Sequence, residues 1–152
     1  MLTQKRTKEL TQLLEQSSVK VTQKRLMIFH ALINAERALS PYELAKQCEA
    51  KLSVCIPVVS IYRTLDLLVE ANLAHKLELV NKYSACAHFG CHSSHHHTQF
   101  LICNVCQKVT EIQLSTAFTK QLIEQTAFHE FQLQSQQYEF QGICKDCTQP
   151  KS

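Results

Sequence analysis

Two pairs of cysteines have the spacing of a metal site. The segments Cys103-Asn-Val-Cys106 and Cys144-Lys-Asp-Cys147 each place two thiols one short turn apart, and 37 residues separate the pairs. Two such turns supply four soft ligands, which is typical of a tetrahedral structural zinc site with no open position for water. The alternatives are a dithiol redox pair and two separate disulfides, and a redox pair leaves the second Cys-x-x-Cys unexplained.

A second set of metal-capable side chains surrounds the first pair. Cys86 and the run His95–His97 precede it, Glu111 follows it, and His75 lies further upstream. A thiolate combined with imidazoles and a carboxylate has borderline softness, which suits Zn(II) better than Mn(II) or Fe(II). Three consecutive histidines cannot all bind one ion in a simple geometry, so at least one of them is a bystander.

Charge and ligands divide the chain into unlike halves. Residues 1–80 carry 11 Lys and Arg against 8 Asp and Glu, whereas residues 81–152 carry 5 of each and hold six of the eight cysteines. The net charge of +3 is only a weak signal for nucleic acid. No apolar run approaches the ~20 residues of a membrane span, and no apolar region follows the N-terminal charges. We therefore expect a cytoplasmic protein with reduced thiols and no membrane partner.

The front half has the pattern of a DNA-binding fold. Apolar periodicity and capping residues predict helices over 7–16, after Thr22, after Ser40 and over 57–71, and loose alternation predicts a hairpin over 73–86. Short helices followed by a hairpin indicate a winged helix-turn-helix with its recognition helix at 57–71.

Three residues of that helix bear on DNA binding. Ser60 and Arg63 point away from its apolar stripe, and Tyr62 lies at the edge of the stripe. A guanidinium can bond bidentately to guanine, so Arg63 is expected to approach the bases, with Tyr62 beside it. The alternative for Tyr62 is a core aromatic residue whose hydroxyl reaches the surface.

The back half predicts a small α/β unit clamped by zinc. Strands are expected over 100–103 and 108–112, a helix over 116–127 after a Ser115 cap, and a strand-like stretch over 130–141. A pair of such units could form an intermolecular sheet.

Four segments in order along the chain resemble motifs of the ferric uptake regulator (Fur) superfamily, and within it the zinc uptake regulator (Zur) branch. Residues 21–25 (Val-Thr-Gln-Lys-Arg) resemble the family's Thr-x-x-Arg helix start, and residues 60–68 resemble its Val-Tyr-Arg-x-Leu recognition helix. Residues 96–106 resemble its histidine-rich approach to Leu-Ile-Cys-x-x-Cys, and residues 141–147 its closing Gly-x-Cys-x-x-Cys.

The resemblance implies an α+β protein with an N-terminal winged helix-turn-helix domain and a small C-terminal α/β dimerisation domain that holds the four-cysteine zinc. The corresponding boundaries are a DNA-binding domain over 1–86, a hinge loop over 87–97 and a dimerisation domain over 98–152. The implied partners are double-stranded operator DNA and a second copy of the chain.

The resemblance also implies a regulatory zinc at the hinge, which makes two zinc ions per subunit. By position, its ligands are His75, Cys86, His96 and Glu111. Cys86 favours the zinc branch, because iron-sensing relatives usually lack this thiolate. The additional Cys91 beside a histidine in the same loop leaves the choice of histidine open.

One feature of the family is absent from this chain. The family's His-His-Asp-His is here His97-Thr-Gln-Phe100, so a third metal site is not expected.

The resemblance also extends the expected DNA contacts beyond the recognition helix. The implied DNA-contacting residues are Tyr62, Arg63, Ser60, Tyr42, Lys24 and Arg25.

These observations favour a zinc-responsive DNA-binding repressor and no enzymatic activity. One alternative keeps the family and changes the signal to iron or peroxide. The other is a zinc-dependent or thiol redox enzyme, which requires an open coordination position or a reactive cysteine of low pKa.

Overall fold

The computed structural model describes residues 4–87, 98–134 and 137–148. The chain divides into two units, Met1–Gly90 and Cys91–Ser152. Apart from Ala87, the predicted hinge over 87–97 lies outside the described residues. Within the described segments, none of the helices combines the length and the apolar character that a bilayer-spanning helix needs.

The first unit contains the predicted four helices and hairpin. The hairpin strands pair antiparallel, with His75 opposite Ser84 and Leu77 opposite Lys82. Asn72, two residues after the fourth helix, has a φ of 57°, the left-handed conformation that is common just beyond helix C-termini. The elements are α1 (Gln4–Gln16), α2 (Gln23–Ile33), α3 (Pro41–Leu52), α4 (Val58–Glu70), β1 (Ala74–Leu77) and β2 (Lys82–Ala85).

Side-chain caps fix the starts of α2 and α3. The Thr22 hydroxyl accepts a hydrogen bond from the backbone N–H of Arg25. Ser40 and Glu43 form a reciprocal capping box, with Pro41 at the first helical position. These bonds satisfy N–H groups that have no partner within the helix, which stabilises each start by about 1 kcal/mol.

A single apolar cluster holds the first unit together. Helix α4 contributes Ile61, Leu65 and Leu68, all fully buried, at helical spacing. They pack with residues from α1, α2 and α3, including Leu14, Phe29, Leu32 and Leu44, and with Tyr83 of the hairpin. The buried face of α4 thereby fixes the direction of its opposite, exposed face.

The second unit is a three-stranded sheet with two helices. Its elements are β3 (Thr98–Cys103), β4 (Val109–Gln113), α5 (Thr116–Phe128), β5 (Glu139–Gly142) and α6 (Lys145–Thr148). The strand order is β4-β3-β5, with β4 antiparallel and β5 parallel to β3. The Ser115 hydroxyl caps α5 as predicted, by accepting from the N–H of Phe118.

The strand-like stretch predicted over 130–141 is wrong in its first half, because the strand begins only at Glu139. Glu130 has a φ of 57°, and the N–H of Phe131 returns to the Thr126 carbonyl at 2.9 Å. This is the backbone geometry of a helix C-cap. The residues directly after it therefore terminate α5 and do not begin a strand. The short helix α6 has no counterpart in the sequence prediction.

The second unit buries few side chains. Gln99, Phe100, Ile102 and Cys103, all on β3, are the fully buried residues in its described segments. The side-chain oxygen of Gln99 accepts from the N–H of Tyr138 and so joins β3 to the residue before β5. Helix α5 buries none of its residues. Large apolar side chains that remain exposed in its described segments are Leu101, Val105, Phe118, Ile123, Phe128, Phe131, Phe140 and Ile143.

We expect Leu65→Ala to lower the free energy of unfolding of the first unit by about 2–5 kcal/mol, because it leaves a cavity at a fully buried position. Urea unfolding followed by helical circular dichroism measures this, since most of the helix lies in that unit. Leu79→Ala, at a position that is 56% exposed, is the matched control and should change stability by no more than about 0.5 kcal/mol. Equal losses in the two variants would contradict the assigned core.

Candidate metal centres and DNA-binding face

The four predicted zinc ligands converge in the second unit. The sulfur atoms of Cys103, Cys106, Cys144 and Cys147 all lie within 4.8 Å of one another. The Sγ atoms of Cys106 and Cys144 are 3.7 Å apart. A tetrahedral site with Zn–S distances of about 2.3 Å has edges of about 3.8 Å, so the sulfur cluster has the size that zinc requires. The seven cysteines that the structure describes form no disulfide.

Parallel pairing of β3 and β5 brings the two Cys-x-x-Cys turns together. Cys103, the last residue of β3, is in register with Gly142, the last residue of β5. The N–H of Asn104 donates to the Gly142 carbonyl at 2.8 Å and continues the pairing into the turn. Cys147 then returns on α6. The 37-residue gap therefore holds the chain that must run from β3 through β4 and α5 before β5 can lie parallel beside β3.

The cluster is arranged for thiolates. Backbone N–H groups of Cys106 and Cys144 point at the Cys103 sulfur and lower the pKa of its thiol to about 6. Cys147 has the opposite tendency, because contact with the Cys144 side chain, burial and the nearby Cys106 sulfur raise its pKa to about 12. Four sulfurs at this separation cannot all ionise unless a cation compensates their charge, and a closed zinc site supplies that cation.

The two regulatory ligands predicted in the first unit lie side by side. The hairpin pairs His75 with Ser84, two residues before Cys86, and the Cys86 N–H donates to the Leu73 carbonyl at 3.0 Å. An imidazole nitrogen of His75 and the Cys86 sulfur lie within 4.8 Å of each other. Cys86 is buried and His75 is half-buried. An adjacent thiol and imidazole form half of a borderline-soft metal site.

The other two predicted ligands lie elsewhere in the chain. Glu111 is half-buried on β4 in the second unit, opposite Phe100 of β3. His96 falls outside the described residues, as do the neighbouring histidines of the same run.

The exposed face of α4 carries the predicted DNA contacts. Tyr62 is 38% exposed and Arg63 is exposed, while Ser60 is half-buried. Tyr42, near the start of α3, is 62% exposed and its ring meets that of Tyr62 edge-to-face, with 6.4 Å between centroids. Tyr62 is therefore not a core residue. Val59, also exposed, lies one helical turn before it.

The two basic residues at the start of α2 that were predicted to contact DNA differ in exposure. Lys24 is exposed, but the guanidinium of the half-buried Arg25 donates to the Lys20 carbonyl at 2.7 Å. Arg25 thus has a local structural role in addition to any DNA contact. Arg37 and Lys82, which no motif singled out, both form ion pairs with Glu43. The three-residue spacing of the capping box relates Glu43 to Ser40. No such spacing relates Glu43 to Arg37 or Lys82.

We expect Cys144→Ser to abolish retention of the zinc that survives mild chelation in the wild type, measured as metal content per chain. Structural zinc of this kind contributes on the order of 10 kcal/mol to folding, so amide protection in the β3–β5 sheet should disappear with it. Cys55→Ser is the matched control, because Cys55 is exposed and outside the cluster. Wild-type zinc content in Cys144→Ser would show that the four sulfurs do not hold the ion.

Known proteins match most of this chain. The sequence profile of the Ferric uptake regulator family matches residues 16–141. The Ferric uptake regulation protein of Campylobacter upsaliensis is 29% identical, with 90% of this chain and 85% of that protein covered. The Zinc uptake regulation protein of Escherichia coli K12 is 29% identical, with 88% and 76% covered. A solved structure of a zinc uptake regulator complexed with zinc and DNA superimposes with a TM-score of 0.74 at 25% identity, with 97% of this chain and 96% of that chain covered.

Members of this family are transcription regulators rather than enzymes, and the four-cysteine cluster adds a site that fits zinc. The chain belongs to the ferric uptake regulator family and is a metal-responsive transcription regulator.

Proposed function

We propose that this protein is a zinc-responsive transcriptional repressor of the cytoplasm that binds a DNA operator as a homodimer. The observation that carries the choice of zinc is the pairing of a buried thiol with an imidazole, Cys86 beside His75, at the base of the hairpin. A thiolate among imidazole and carboxylate ligands prefers Zn(II) to Fe(II) or Mn(II).

The proposed regulatory site has four ligands. His75 and Cys86 come from the first unit, and Glu111 and His96 are proposed to complete the set from the second unit and the loop between them. A zinc ion held by these residues would neutralise the thiolate and the carboxylate and join the hairpin to the second unit. Together with the four-cysteine site, this gives two zinc ions per subunit.

The contribution of the metal to DNA binding follows from geometry. A dimer reads two half-sites one helical turn apart only if its two recognition helices keep a fixed separation. A chain whose two units are not joined must give up conformational freedom when it binds. Joining them beforehand raises the population of the binding-competent form, and operator affinity rises by the same factor.

The exposed apolar residues of the second unit support the homodimer. Phe118, Ile123 and Phe128 of α5 are all at least 45% exposed, although α5 is the main helix of that unit. Exposed apolar groups of this density on a soluble chain indicate a surface that a partner covers. A second copy of the chain gives the two-fold symmetry that a palindromic operator requires.

We expect Arg63→Ala to weaken operator binding by about 1–3 kcal/mol, roughly 5- to 150-fold, because a guanidinium on the exposed face of α4 is suited to bidentate contact with guanine. The measurement is a titration of DNA, selected from a random library with the zinc-loaded protein, at fixed salt. Arg6→Ala, at an exposed arginine of α1, is the matched control and should retain near wild-type affinity. If the two variants bind equally well, α4 is not the recognition helix.

We expect Cys86→Ser to raise the free zinc concentration needed for half-maximal operator binding by about tenfold or more, since a thiolate ligand of the proposed regulatory site is replaced by a hydroxyl that binds zinc weakly. Zinc is varied with a metal buffer that leaves the four-cysteine site filled. Cys55→Ser should follow the wild-type curve. If Cys86→Ser also follows the wild-type curve, the zinc-sensing proposal is wrong.

An iron-responsive regulator is the second candidate, because a ferric uptake regulation protein matches this chain as well as a zinc uptake regulation protein does. Anaerobic titration of operator binding with Fe(II) and with Zn(II) separates the two. Restoration by Fe(II) at concentrations where Zn(II) is inactive would favour the iron signal.

A further inference from the structure

The carboxylate of Glu43 connects three parts of the first unit. It accepts a hydrogen bond from the backbone N–H of Ser40 at 2.8 Å, which caps α3. Its oxygens also pair with the ammonium group of Lys82 at 3.1 Å and with the guanidinium of Arg37 at 3.2 Å. Lys82 begins strand β2 of the hairpin, 39 residues further along the chain. The Glu43 carboxylate thus both caps α3 and pairs with strand β2 of the hairpin.

Backbone hydrogen bonds reinforce this connection at the next residue. The N–H of Leu39 donates to the Tyr83 carbonyl at 2.9 Å, and the N–H of Tyr83 donates to the Leu39 carbonyl at 2.8 Å. Both residues are buried, with 3% of each side chain exposed. The hairpin is therefore attached to the chain just before α3 by a backbone bridge and, beside it, by the Lys82–Glu43 ion pair.

The start of α3 also contacts the recognition helix. Tyr42 stands next to Glu43 in the sequence, and its ring meets that of Tyr62 on α4. At its other end the hairpin carries His75 and Cys86. One path of contacts from these two ligands to Tyr62 runs through β2, Glu43 and Tyr42. A second runs through Leu73, whose N–H donates to the Leu68 carbonyl of α4 at 2.8 Å.

We propose that Glu43 and Lys82 are positioning residues that fix the wing hairpin against α3 and thereby hold Tyr42 and Tyr62 in their DNA-binding arrangement. This inference rests on the proposed function, since it makes the ion pair part of the route by which the hairpin ligands affect operator binding. It assigns no DNA or metal contact to either residue.

The ion pair is better placed than an ordinary surface pair. The side chains of Glu43 and Lys82 are 29% and 18% exposed, so water screens them only in part. Partial burial raises the pKa of Glu43, but hydrogen bonds from Ser40 and Lys82 outweigh it and leave the pKa below its usual value. The carboxylate is therefore charged at neutral pH. The Ser40 bond already holds it in place, so pairing with Lys82 costs little further side-chain freedom.

A double-mutant cycle tests the pair in the full-length, zinc-loaded dimer. Lys82→Gln and Glu43→Gln each remove the charge, and a glutamine at 43 still offers an oxygen to the Ser40 N–H. We expect each single variant to weaken binding of the selected operator about two- to fivefold, the range for partly buried pairs, and the double variant to be no weaker than either single one. Additive losses, or wild-type affinity in both single variants, would overturn the proposal.

Lys76→Gln separates positioning from phosphate contact. Lys76 lies on β1 of the same hairpin and pairs with Glu78 at 3.0 Å rather than with Glu43. If Lys82 acted only by its charge near DNA, both variants would lose affinity equally, with a similar decrease in the salt dependence of binding. The proposal requires that Lys82→Gln lose affinity at an unchanged salt dependence, while Lys76→Gln keeps near wild-type affinity.

Hydrogen exchange of the protein with only its four-cysteine site filled supplies a readout without DNA. The amides of Leu39 and Tyr83 should exchange about two- to fivefold faster in Lys82→Gln and Glu43→Gln than in Lys76→Gln, because opening of the bridge becomes easier. Unchanged exchange would overturn the positioning role. If operator binding by the wild type did not depend on zinc, the proposed function would be overturned. The hydrogen-exchange result would not be affected.

Discussion

The convergence of four cysteine sulfurs is the interaction on which the second unit depends. That unit buries Gln99, Phe100, Ile102 and Cys103 and little else among its described residues, which is too small a core to fix a sheet and two helices alone. The sulfurs meet because β5 lies parallel to β3. A cation that compensates four thiolates stabilises this pairing, and the exposed apolar side chains of α5 remain available for a partner.

The first unit has a different source of stability. Its helices pack around one apolar cluster, so its fold needs no metal, and α4 presents a fixed exposed face. The hairpin of the first unit has two roles, one in the proposed metal binding and one in packing against α3. It carries the adjacent His75 and Cys86, and it is attached to the start of α3 by the Leu39–Tyr83 bridge and the Glu43–Lys82 pair. A metal that binds this hairpin thus acts on an element already coupled to the DNA-binding face.

Local chemistry explains which features could be predicted from the sequence. The caps at Ser40 and Ser115 and the two Cys-x-x-Cys turns depend on residues three positions apart, so their spacing is visible in the chain. The pair of Glu43 with Lys82 depends on tertiary folding across 39 residues, and no spacing rule reports it. The stretch after α5 resembled a strand because its apolar residues alternate, whereas the left-handed backbone of Glu130 makes its beginning a helix cap.

We propose that the regulatory site and the DNA-binding face are thermodynamically coupled. Coupling of two binding equilibria is reciprocal, so operator DNA must strengthen zinc binding by the factor by which zinc strengthens operator binding. The direct test is the zinc affinity of the second site, measured with the four-cysteine site filled, in the presence and absence of saturating operator. We expect tighter zinc binding with operator, by roughly 5- to 150-fold for coupling of ordinary size, and no such change with unrelated DNA. Equal zinc affinity with and without operator would contradict it.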